Sequence, residues 1–200
     1  MEGIFFYWIF WCYWIIVTFW MKKETKRMVY AIFILLVIMA SLKQVSFSFG
    51  TVGLSYLLIG IVFLGRLVLH GYQIYSTFAV VIIAFAYAAL QLFYVYDPIW
   101  FLDKLIFISS MMTGILALLL GKNTQHCITI LVLGQSIGEL FFWIVAYRIV
   151  HVQVEIGYLA YMETLTVSSL CVGVWFAFKW VTKSLEQFVD KSVKGKGRIL

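Results

Sequence analysis

Long apolar runs separated by brief polar stretches dominate the chain, and cutting at the charges leaves seven of them. They are Gly3–Met21, Met28–Leu42, a segment within Phe47–Leu69, Ile74–Tyr96, Leu105–Leu120, Cys127–Tyr147 and Ile156–Phe178. A helix needs about 20 predominantly apolar residues to cross a bilayer, with a range of about 17–25. The runs show neither the two-sided pattern of water-facing helices nor the alternation of barrel strands. The expected fold is all-α: a polytopic membrane bundle of seven transmembrane helices over residues 1–180, then a tail over 181–200. The second run is short and has to borrow from its flanks. Pro98 is placed to open the fifth helix, since proline is tolerated in a first turn. The first run carries Trp8, Trp11, Trp14 and Trp20 among many other aromatics. That bulk reads as a peripheral helix facing lipid, with Trp20 in an interface belt.

Composition fixes the solvent. The chain is 64% hydrophobic and 12% charged, with a mean hydropathy of +1.01. Soluble domains run at roughly 45–50% apolar and about 25% charged, so this chain has too little polar surface to cover a globule in water. The formal charge of +6 does not point to nucleic acid, because it gathers at Lys22–Arg27 and from Lys179 onward, beside apolar runs. That placement fits topology signals and contact with anionic lipid at the inner leaflet. With the first loop inside, the inner segments hold all but Lys43, Lys104 and Arg148 of the 15 Lys and Arg. The bias expects the N-terminus outside and the C-terminus inside a cell membrane. The basic run follows the first apolar stretch, and no small-residue cleavage site is present, so a signal peptide is not expected. In the tail, Val181, Leu185 and Phe188 recur at helical spacing, with Lys183, Lys191 and Lys194 on the other face. This reads as an amphipathic helix on the membrane surface.

Candidate chemistry is confined to two carboxylates. Glu139 sits in Leu133-Gly-Gln-Ser-Ile-Gly-Glu139, and Glu163 sits in Tyr158-Leu-Ala-Tyr-Met-Glu163. Ionisable groups inside a span are costly and are candidates for function. Gln135 and Ser136 lie one helical turn before Glu139, and Tyr161 lies beside Glu163. Gly134 and Gly138 allow close packing that would turn the polar face toward a neighbouring helix. Both carboxylates come out about 10–12 Å below the outer surface at 1.5 Å per residue. They are expected close together on adjacent antiparallel helices. Each is either a proton or cation site or a polar group that joins helices. Cys12, Cys127 and Cys171 match no metal spacing, and His70 and His126 have no second ligand near them. No metal, no cofactor and no catalytic motif is expected. A retinal-type lysine would sit mid-span, whereas Lys179 sits at the inner end of the last run.

The opening Met1-Glu-Gly-Ile-Phe-Phe-Tyr-Trp8, the basic Lys22-Lys-Glu-Thr-Lys-Arg27, the seven-span layout and the basic tail together resemble the YphA-type membrane proteins of bacilli. The resemblance implies a multi-pass cell-membrane protein and carries over no functional residue. The expected function is that of an accessory or interaction protein without enzyme chemistry. Its expected partners are the lipid bilayer and a second membrane protein or another copy of the chain. The alternative is a small proton-linked transporter or solute-binding membrane subunit that uses the carboxylates. The two readings separate on whether Glu139 and Glu163 border a water-accessible cavity or are packed and dry.

Overall fold

The apolar runs become helices because in lipid every backbone polar group has to be satisfied within the protein. The computed structural model describes residues 3–47, 50–69, 74–101, 104–150 and 153–196. Among these are seven α-helices: α1 (Ile4–Trp20), α2 (Thr25–Ala40), α3 (Leu54–Leu69), α4 (Ile74–Tyr96), α5 (Leu105–Leu120), α6 (Thr124–Val150) and α7 (Leu159–Lys196). Three of them, α4, α6 and α7, contain stretches long and apolar enough to cross a membrane by themselves. Helix α1 has 17 residues, while α2, α3 and α5 have 16 each. At 1.5 Å per residue, 16 residues give about 24 Å, short of the roughly 30 Å hydrocarbon core.

The all-α expectation needs one correction. Strands β1 (Gln44–Phe47), β2 (Gly50–Gly53) and β3 (Val154–Ile156) form a three-stranded sheet in the order β1-β2-β3. β1 and β2 pair antiparallel, with Val45 opposite Val52; β2 and β3 pair parallel, with Val52 opposite Ile156. β-Branched Thr51, Val52, Val154 and Ile156 suit a pleated surface. Such short strands leave no readable alternation inside an apolar sequence, and β3 comes from a distant part of the chain. The third helix consequently starts at Leu54 and the seventh at Leu159, later than the apolar pattern alone places them. Pro98 also opens a different element, a 3-10 turn over Pro98–Phe101, and α5 begins only at Leu105.

α6 lies at the centre, packed on α3, α4, α5 and α7. Its contact with α4 is set by two glycines. A β-carbon on Gly134 would lie 2.6 Å from Ile83 Cβ, and one on Gly138 would lie 2.7 Å from the Ala84 carbonyl oxygen. Ala84 and Ala88, both buried, supply the small face on α4. α1 is peripheral as expected: Phe6 is its buried residue, while Trp8 and Phe19 are each 72% exposed. It packs on α2 and α7, and Arg27 closes the α1–α2 turn by donating to the Thr18 carbonyl oxygen at 3.2 Å. A cation there answers the unsatisfied carbonyls of the last turn of α1. α7 runs from Leu159 to Lys196 without a break. The side chains of Phe188, Lys191 and Lys194 lie outside the described residues, as do His70 and His151.

Candidate functional site

Glu139 is 5% exposed and projects from α6 into a ring of aromatic donors. The Tyr87 hydroxyl on α4 donates to Oε2 at 2.8 Å, and the Trp143 indole, one turn further along α6, donates to Oε1 at 2.9 Å. The backbone N–H of Gly157 also points at Oε1, at 3.5 Å. Gly157 follows β3 and has φ +72, a left-handed conformation in which the Tyr56 ring crowds the place of a β-carbon. Glycine is required there by both its dihedral and its packing. The sheet thus has a consequence at the carboxylate: pairing of β3 with β2 brings the Gly157 turn over Glu139.

Ser136 lies beside this ring. Its hydroxyl donates to the Val132 carbonyl at 2.7 Å. With that proton committed, the Tyr161 hydroxyl, 2.8 Å away, is the donor to Ser136 Oγ. Tyr56 donates to the Ser136 carbonyl oxygen at 2.8 Å. The rings of Tyr56 and Tyr87 each meet Tyr161 edge-on, with centroids 5.4 and 6.4 Å away, a favourable arrangement for aromatic quadrupoles.

Gln135 belongs elsewhere, although it is one turn from Glu139. It is fully buried, and its amide nitrogen donates to Thr113 Oγ1 on α5 and Ser168 Oγ on α7, both at 2.7 Å. Those hydroxyls give their own protons to carbonyls one turn back, Ser109 and Thr164, which fixes the amide as the donor. Ser110 adds a bond to the Thr164 carbonyl at 2.9 Å. The result is a polar seam joining α5, α6 and α7.

Glu163 makes a third, separate contact. It is 3% exposed and accepts the backbone N–H of Phe5 at 3.1 Å. A carboxylate at that place satisfies one of the orphan donors at the start of α1 and complements the helix dipole. Among the described residues no hydrogen bond joins Glu139 to Glu163 or gives them a common partner. Of the residues singled out from sequence, Glu139, Ser136 and Tyr161 come together, while Gln135 and Glu163 serve other helix pairs.

Several participants went unrecognised in the sequence. Tyr87 had a signal, since a hydroxyl in an otherwise apolar span needs a partner when buried. Trp143 had one as well, four residues after Glu139. Gly157, Tyr56 and Thr113 had none, because their roles depend on which elements meet. His126 falls in the first turn of α6. The Lys122 N–H donates to its Nδ1 at 3.3 Å, so Nε2, 2.8 Å from Ser76 Oγ, carries the proton.

Among the described residues, one cleft opens between α1, α2, α3 and α6, and another, next to it, between those helices and α7; neither is lined by Glu139 or Glu163.

Comparison with known proteins supplies the family. The model of the YphA-like integral membrane proteins matches residues 2–198. A Bacillus subtilis (strain 168) relative that bears the name "Uncharacterized protein YphA" is 28% identical over 144 residues, which cover 71% of each chain. No solved structure matches.

Proposed function

This chain belongs to the YphA-like integral membrane protein family, and on that premise we propose that it is an accessory or interaction protein of the cell membrane. The reading is carried by one observation: both intramembrane carboxylates are buried and tied to neighbouring elements by neutral donors. Glu139 joins α6 to α4 and to the Gly157 turn, and Glu163 joins α7 to the start of α1. A transporter of protons or cations would want such groups on a water-accessible path. Here Glu139 and Glu163 are only 5% and 3% exposed, and among the described residues neither lines the clefts on the α1–α2–α3 side.

The proposal includes seven spans, with the N-terminus outside and the C-terminus inside. Its supports are the seven helices and the alternation along the chain of Lys- and Arg-rich connections with connections that hold only Lys43, Lys104 and Arg148. It also assigns the Lys183-, Lys191- and Lys194-bearing end of α7, with Phe188, to the inner membrane surface. Attraction there is worth about 1 kcal/mol per basic residue near an anionic leaflet.

Proton uptake by proteoliposomes under an imposed pH gradient and an inside-negative potential separates the two readings. We expect the wild type, Glu139→Gln and protein-free vesicles to behave alike. Uptake by the wild type that is abolished in a normally folded Glu139→Gln variant would overturn the accessory reading in favour of a proton-linked transporter.

A further inference from the structure

The larger cleft has a volume of about 520 Å³ and lies between α1, α2, α3 and α6. Ligand sites commonly fall between about 300 and 1,000 Å³. Its walls include Ile16, Val29, Ile34, Val62 and Ile128. A second cleft of about 290 Å³ shares Tyr13, Phe33, Ile34, Phe63 and Ile128 with it and continues past Val132 and Leu165 to Gly173. A β-carbon on Gly173 would meet nothing within 4 Å. Together they form a long apolar slot reaching from one end of the bundle toward its middle.

The chemistry of that end is different. Arg66 lines the slot in the last turn of α3, with its guanidinium 5.8 Å from the centre of the Phe63 ring. Its Nη2 donates to the Tyr30 hydroxyl at 3.3 Å. Tyr30 therefore keeps a hydroxyl proton to donate beside the guanidinium. The adjoining α1–α2 turn and the first turn of α2 carry Lys22, Lys23, Lys26 and Arg27 against the single acidic Glu24.

We infer that this slot seats an acyl chain of an anionic membrane lipid, with Arg66 and Tyr30 holding its phosphate. An apolar slot ending in a guanidinium and a phenol is complementary to an amphiphile with a long chain and an anionic head. Guanidinium forks match phosphate geometry, and bonds between charged partners are about twice as strong as neutral ones. A second copy of the chain is a poorer occupant, because it would bring the same cation-rich end to Arg66. The inner-leaflet setting rests on the orientation proposed above. Headgroup selectivity of the purified protein does not, so the two ideas fail separately.

The test is native mass spectrometry of the full chain released from micelles holding phosphatidylglycerol or phosphatidylcholine of matched chain length. The expected result is one phosphatidylglycerol retained per chain in preference to phosphatidylcholine. Arg66→Gln should weaken that retention by about tenfold, the scale of one charge-assisted bond. Gly173→Leu, which fills open space in the second cleft, should lower retention while leaving the preference for phosphatidylglycerol. Equal retention of the two lipids, or unchanged retention in Arg66→Gln, would overturn the inference. Full competition by glycerol 1-phosphate would reassign the site to a chainless anion. A dimer mass lost in Gly173→Leu would reassign the slot to a second copy.

Discussion

Glu139 shows what a single buried carboxylate does for this bundle. Its oxygens accept from a phenol on α4, an indole on its own helix and a backbone N–H beyond β3. Removing one donor leaves part of a buried acceptor unmatched, and such a loss costs about 1–3 kcal/mol. Tyr87→Phe should therefore destabilise the protein by about that much, measured by unfolding in mixed micelles of increasing denaturing detergent. Tyr75→Phe is the comparator, because the Tyr75 hydroxyl bonds the Leu120 carbonyl in an exposed setting. Equal stability of the two variants would show that the Glu139 ring contributes nothing net. Glu163 acts differently. It fixes where α1 begins against α7, a helix that α1 also meets through the Tyr13 hydroxyl, 3.2 Å from Ser169 Oγ.

Among the elements, α4 and α6 make the closest pair, and their approach is a matter of volume. Between helices in lipid, association depends on close packing and interhelical hydrogen bonds, because lipid tails are as apolar as the side chains. Gly138→Val would place a β-carbon 2.7 Å from the Ala84 carbonyl oxygen and 3.0 Å from Tyr87 Cδ1. The pair would have to separate, at a cost of about 1–3 kcal/mol or more, and Tyr87 would be drawn away from Glu139. Gly173→Ala meets open space and should be neutral or stabilising, since alanine is favoured over glycine within helices by about 1 kcal/mol. The same detergent titration reads both. A Gly138→Val protein as stable as the wild type would sink the packing argument. α7 exceeds the needs of a single crossing: its 38 residues span about 57 Å at 1.5 Å each, well beyond the roughly 30 Å core.

For the whole molecule the decisive quantity is sidedness. On the proposed seven-span topology the α1–α2 turn, Arg66, Lys122 and the tail fall on one side of the membrane, with Lys43, Lys104 and Arg148 on the other. A reporter that fluoresces only in the cytoplasm should light up when fused after Leu200. It should stay dark when inserted within Asp97–Lys104. A dark C-terminal fusion on a normally produced protein would reverse the orientation, and two bright sites would remove one crossing. On that topology the weakest crossing is α2, whose 16 residues include Lys26 and Arg27 and which leads straight into the β1–β2 hairpin through Ser41–Lys43.

By itself the sequence determined that the chain is a helical integral membrane protein, and it determined the family. Both follow from quantities summed along the chain: apolar run lengths, the near absence of internal charge, and a pattern matched from end to end. It also picked out Glu139, Glu163 and the Gly134/Gly138 stripe, because a buried charge or a missing side chain is visible wherever it occurs. The tertiary structure alone decided how these residues are used. Helical rotation sends Gln135 toward α5 and α7 but Glu139 toward α4, although they are one turn apart. The parallel pairing of β2 with β3 brings Gly157 over Glu139, and no local preference in strands of four and three residues encodes a partner so distant. Partner choice depends on the facing surfaces of separate elements, whose relative rotation and register exist only once the bundle has formed.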